Sequence, residues 1–224
     1  MEGKTILYDK KILYAGGCAW AEPAEQHIMI ELLSASNETV WANPYGKLTG
    51  PLLPRITTLK EGLTIYNPGV NFLAIPSLGA LNERRRLLQV KLYLIGRDFE
   101  PDLVWIDAPL AARFTAYYGK KGALTFYYAA EDLDNLSSRA ERKKLTEAVD
   151  LVITPSPKLH KKYKEQTGKA YLLSGGDLIP PPETEDDEPE DELVEKAFME
   201  ALQKRLEEIS RIVEKEMAQK SFFK

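Results

Sequence analysis

Along the chain, short apolar runs rich in Val, Ile, Leu and aromatic residues alternate with longer segments whose apolar positions recur every three or four residues. That pattern predicts strands separated by helices. Residues 11–16 read as a first strand ending in Gly16-Gly17, and residues 23–34 as a helix that turns Ile28, Ile30, Leu32 and Leu33 toward a sheet. Further strands are read at 39–44, 62–68, 102–107, 123–129, 150–154 and 170–174. Helices are read at 81–97, from Pro109 to just before Gly119, at 135–149, and from an N-cap at Ser156 to Gln166. Pro44, Pro51, Pro54, Pro68 and Pro76 punctuate the connections around the second and third strands.

Helix-length segments between strands require crossover connections, and crossovers lay strands parallel with helices over both faces. The expected body is a doubly wound, Rossmann-like α/β domain with a parallel sheet of about seven strands. Ligands of such sheets sit outside the carboxyl ends of the strands. The residues there are Gly16, Gly17, Asn43, Asn67, Asp107, Glu131, Asp132, Ser156, Gly175 and Asp177.

Charge divides the 224 residues into three parts. Residues 1–179 carry a net +3, residues 180–192 (PPPETEDDEPEDE) eight acids and no base, and residues 193–224 a net +1, giving −4 for the chain. Three prolines favour an extended backbone and the acids repel one another, so 180–192 is expected to be a linker between the body and a C-terminal helix. That helix carries an apolar stripe through Val194, Phe198, Ala201, Leu202, Leu206, Ile209, Val213 and Met217. The stripe must be covered by the body or by another chain, including a second copy.

Composition narrows the setting. No apolar run approaches the roughly 18–20 residues of a bilayer crossing, and the first residues lack the order of an export signal. A cytoplasmic protein is expected, at most peripheral to the inner face of a membrane. One cysteine and two distant histidines leave no disulfide framework and no zinc spacing, so neither metal nor cofactor is expected. No nucleic-acid partner is expected either.

Glycines at a strand end let a phosphate approach the backbone, but Gly16-Gly17 follows neither the dinucleotide G-x-G-x-x-G spacing nor the P-loop lysine pattern, and a tight turn explains it equally. Glu131, Asp132 and Asp134 bring three carboxylates to a strand end. Asp134 suits an N-cap, and Asp132 suits a general base or a hydroxyl acceptor. Cys18 has no histidine beside it and reads as an idle thiol. Arg84, Arg85 and Arg86 with Lys91 form a basic helix face that suits solvent or anionic headgroups.

Taken in order, GGCAWAEPAEQHIMIELL, VWANP, DLVWIDAP, TFYYAAEDLDNL, ERKKLTEAVDLVITPSPKLHKKY and YLLSGGD resemble the N-terminal half of glycosyltransferases of the glycosyltransferase-B fold that build surface polysaccharides. The resemblance runs from Lys11 to Asp177. It implies an acceptor-side domain that works against a separate nucleotide-sugar half. Gly16, Gly17 and Trp20 would line the interdomain cleft, Gln26 would sit on the first helix, and Asp132 would be the base of inverting members. Glu131, Ser156 and Asp177 would complete the substrate-binding set.

The departures are specific. Gly175-Gly176-Asp177 stands where the family has an asparagine-led turn, and the chain passes from there into the acidic run and one helix. The paired glutamates and glycine loop of the donor half have no counterpart. The expectation is therefore half of a transferase acting on a sugar or lipid-linked acceptor, with its nucleotide sugar held by a partner donor-domain chain and little activity alone. The rival expectation is a non-catalytic Rossmann-like interaction or regulatory protein. A nucleotide-binding or epimerase-like enzyme is disfavoured by the missing glycine fingerprint.

Overall fold

The computed structural model describes residues 7–21, 25–45, 53–69, 79–132, 139–174 and 189–222. The chain runs β1 (Lys11–Tyr14), α1 (Glu25–Ser34), β2 (Glu38–Ala42), β3 (Arg55–Lys60), β4 (Leu63–Asn67), α2 (Gly79–Gly96), β5 (Leu103–Ile106), α3 (Ala112–Gly119), β6 (Leu124–Tyr128), α4 (Arg139–Ala148), β7 (Leu151–Thr154), α5 (Pro157–Thr167), β8 (Ala170–Leu172) and α6 (Pro189–Phe222). A single 3-10 turn, Pro109–Ala111, leads into α3. Among the described residues no helix is long and apolar enough to cross a membrane.

One sheet takes the order β3-β4-β2-β1-β5-β6-β7-β8. Every neighbouring pair is parallel except β3 with β4. The doubly wound α/β expectation holds, with eight strands rather than about seven. The additional strand is the exposed edge β3, whose six residues all face solvent. Its connection to β4 turns at Gly62, where φ is +81° and a Cβ would fall 2.3 Å from the Ser34 carbonyl oxygen, so only glycine fits.

Alternation along the strands divides the core in two. Ile12, Tyr14, Trp41, Ile65, Trp105, Phe126, Tyr128 and Ile153 face α1 and α6. Leu13, Ala15, Val40, Tyr66, Val104, Tyr127 and Val152 face α2, α3, α4 and α5. Both faces are covered, which is why the central parallel strands are largely apolar, with Thr39, Thr64, Thr125 and Thr154 as buried polar exceptions.

From Phe198 to Val213 the C-terminal stripe is buried against its own chain, while Val194 is exposed. Leu202, Leu206, Ile209 and Val213 are 0–2% exposed in the core that α1 also closes. Helix α6 begins at Pro189, inside the acidic run, so residues 189–192 are helical rather than linker. The rest of that run, Gly175, Gly176, Asp177 and Asp134 lie outside the described residues.

Candidate functional site

Strand order marks where a doubly wound sheet forms its ligand crevice, which the sequence alone does not. From β1 the chain steps outward through β2 to one side, and β5 then returns to pair with β1 on its other side. The segment after β1 leads to α1 on one face, and the segment after β5 leads to α3 on the other. The carboxyl ends of β1 and β5 therefore flank a topological switch point, the place where doubly wound sheets bind ligands.

Gly16 and Gly17 follow β1, and Asp107 follows β5 directly. The Asp107 carboxylate accepts the Gly17 N–H at 2.6 Å and the buried Tyr14 hydroxyl, with the Cys18 thiol 3.7 Å away. Burial, and then the Asp107 charge, push the Tyr14 phenol well above its ordinary range and the Cys18 thiol up to about 11. A thiol held that high carries about a hundredth of the ordinary thiolate at neutral pH. Alkylation of Cys18 is accordingly expected to run on the order of a hundredfold slower than that of a free thiol at mildly alkaline pH. Stopped-flow thiol titration reads this directly, and a rate near that of free cysteine would contradict it.

Buried cross-links brace the crevice from behind. Arg86 Nη2 donates to the carbonyls of Gly16 (3.0 Å) and Ala42 (2.5 Å), while its Nη1 pairs with Glu83 at 3.2 Å. Asn43 Oδ1 accepts the Trp20 N–H at 2.8 Å and the Trp41 indole N–H at 2.7 Å, and Asn43 Nδ2 donates to Asn67 Oδ1. The ends of β4, β2, β1 and β5 are thereby tied into one frame. Arg86, read from sequence as part of a surface cationic face, is instead 2% exposed and structural.

The expected site residues distribute as follows. Gly17 is exposed and Gly16, before it in the chain, is buried. A Cβ on Gly16 would lie 2.3 Å from the Tyr14 hydroxyl, and the Tyr14 ring is itself stacked on Trp41 at 3.8 Å. Trp20 packs edge-on against His27 and Trp41, so its ring braces the core beside the crevice. Gln26 is buried on α1. Ser156 caps α5, accepting the Leu159 N–H at 3.4 Å. Glu131 is exposed beyond β6. Asp132 pairs with Lys162 at 2.6 Å and Lys158 at 3.2 Å, both from α5. Asp107 is the functional candidate that the sequence did not single out from among the strand ends.

Elsewhere, a groove of about 640 Å³ lies between α3 and α4, lined by Leu110, Arg113, Lys120, Lys144, Glu147 and Asp150 among others. Its lining mixes both charge signs and selects no ligand class. Among the described residues no group of histidine, cysteine and carboxylate side chains could hold a metal ion.

No protein-family model matches the sequence, and no curated protein does. Solved structures do resemble it. Sucrose-phosphate synthase from Thermosynechococcus elongatus superposes with a TM-score of 0.54 at 12% identity, over 76% of this chain and 50% of that one. The catalytic domain of starch synthase IV from Arabidopsis thaliana, bound to ADP and acarbose, gives 0.49 at 10% identity over 75% and 52%. A trehalose 6-phosphate synthase from Burkholderia multivorans gives 0.47 at 11% over 70% and 42%. The chain spans about half the length of these structures. At such identity, what is shared is the Rossmann-like fold of glycosyltransferase-B proteins.

Proposed function

We propose that this chain is the acceptor-side half of a glycosyltransferase of the glycosyltransferase-B fold. It would hold a sugar or lipid-linked acceptor beyond the carboxyl ends of β1 and β5 to β7, while a nucleotide-sugar donor is held by a part lying outside these 224 residues. A lipid-linked acceptor would bring the chain to the inner face of a membrane. The observation that carries the reading is the switch point itself: Gly16, Gly17 and Asp107 meet there, in a fold shared with sucrose-phosphate synthase over three-quarters of the chain. In this reading Gly17 and Asp107 meet acceptor hydroxyls, Gly16, Trp20 and Gln26 shape the wall, Glu131 and Ser156 complete the rim, and Asp132 accepts the hydroxyl proton. A lone acceptor half lacks the groups that grip a nucleotide's phosphates and the lobe that closes the cleft against water.

A second reading, a non-catalytic interaction protein, is favoured by one observation: two lysines already occupy the Asp132 carboxylate. Calorimetric titration and an activity assay separate the readings. The isolated chain is expected to give no heat with nucleotide sugars, and tight donor binding by the chain unaided would overturn the half-enzyme proposal. In a complex reconstituted with a donor half, Asp132→Asn is expected to lower sugar transfer by about 10²- to 10⁴-fold. An unchanged rate would remove Asp132 from catalysis and leave the interaction reading.

A further inference from the structure

Helix α2 is apolar on two opposite faces. At about 100° per residue, Val90 and Leu94 point into the core, 0% and 1% exposed. Leu81, Leu88, Leu92 and Ile95 form a stripe on the far side, 48, 53, 61 and 60% exposed. Together they present apolar surface on the order of 400 Å², the size of the largest apolar patch on a typical monomer, which is often functional.

The charges around the stripe select its occupant. Arg84 and Lys91 border one edge and Arg85 the other. The helix has a single acid, Glu83, and that side chain is turned inward onto Arg86 at 3.2 Å. The outer face of α2 is therefore apolar and cationic, with no carboxylate from its own helix. A second copy of the chain would set these cations against their own kind. A packed partner helix would have to bury Arg85, which falls in the seam between Leu81 and Leu88. A bilayer surface imposes neither cost. Leucines enter below the headgroups while arginine and lysine stems lie along the apolar surface and carry their charges out to the phosphates. The sequence entering the helix continues the theme, with no charged residue from Gly62 to Asn82.

We propose that the outer face of α2 is a docking surface for an anionic lipid bilayer, with Leu81, Leu88, Leu92 and Ile95 inserted and Arg84, Arg85 and Lys91 meeting the headgroups. The proposal stands on α2 alone and holds with or without sugar transfer. Co-sedimentation of the whole chain with vesicles tests it. Binding is expected to equimolar phosphatidylcholine and phosphatidylglycerol and to be weak to phosphatidylcholine alone. The double substitution Leu88→Ser/Leu92→Ser is expected to weaken binding by about tenfold or more. Arg84→Glu is expected to erase much of the preference for the anionic vesicles. Both variants replace exposed side chains, and an unchanged near-ultraviolet circular dichroism spectrum would verify their fold. No binding of the parent chain to the anionic vesicles, or full binding by the folded double-serine variant, would overturn the proposal. So would a parent chain that is dimeric in solution and made monomeric by the two serines, because the stripe would then belong to a second copy.

Discussion

Above about pH 10 the protein is expected to lose stability steeply and to unfold cooperatively near pH 11. Tyr14, Tyr118, Tyr127 and Tyr128 are 0–4% exposed, and burial drives each phenol far above its ordinary range. Neighbouring charge adds to this at Tyr14, where Asp107 lies against the hydroxyl, and at Tyr128, where Glu25 does. The sign follows from which state ionises first. A phenol whose pKa is raised by folding stays protonated in the native protein while the unfolded chain titrates near 10, so its stabilisation is complete below that pH and is withdrawn as pH rises. Each such tyrosine withdraws about 1.4 kcal/mol per pH unit. Four of them remove roughly 5 kcal/mol by about pH 11, the scale of a whole domain's stability. Tyr45, Tyr66 and Tyr171, raised to about 12, act in the same direction. Tyrosinate absorbance and near-ultraviolet circular dichroism should therefore change together in one sharp step. A gradual tyrosinate titration centred near 10, with tertiary structure intact, would show that these phenols are not held as the fold holds them.

Much of this architecture is legible in the residues, because a strand buried on both faces has no polar phase to disguise it. Lys11 to Tyr14, Leu103 to Ile106 and Leu151 to Thr154 announce themselves by composition. Strand β3 does not. Arg55, Thr57, Thr58 and Lys60 leave it no apolar face, and it exists because β4 offers an edge to pair with. The stripe of α6 is equally plain, but an apolar stripe fits its own body or a neighbour alike. What assigns it to the body is a contact between residues 180 positions apart, Arg205 with Glu25.

The crevice is legible only in pieces. Gly16-Gly17 and Asp107 are visible as strand ends, yet their meeting depends on β5 returning beside β1, a fact of strand order that no local pattern carries. Asp132 illustrates the reverse case. Its position past a strand end is plain from the residues, while the lysines that engage it arrive from α5, 26 and 30 residues later, as Lys158 and Lys162. Arg86 shows why a run of like charges misleads: three consecutive arginines on a helix cannot all face one way, and the third faces the core, where it holds Gly16 in place.

The contact that secures α6 should also give the largest effect of any single substitution. Arg205, 1% exposed at its side chain, pairs with Glu25 at the first turn of α1, and its Nη1 lies 3.3 Å from the Tyr128 hydroxyl, which donates to the same carboxylate at 3.1 Å. The three groups close a triangle at the carboxyl end of the sheet, where α1, β6 and α6 meet. Replacing Arg205 by methionine keeps most of the apolar stem but leaves a nearly buried carboxylate facing the tyrosine without its cation. The cost is expected to be about 3 kcal/mol or more. Lys143–Glu147, with both side chains exposed, should by contrast be worth well under about 1 kcal/mol. Chemical denaturation of the parent, Arg205→Met, Glu25→Gln and the double variant measures the coupling. The double variant should recover much of the loss, because neutralising Glu25 removes the stranded charge that makes the single change severe. Additive losses in the cycle would mean that the pair does not bind α6 to α1. The helix would then be held by Leu202, Leu206, Ile209 and Val213 alone.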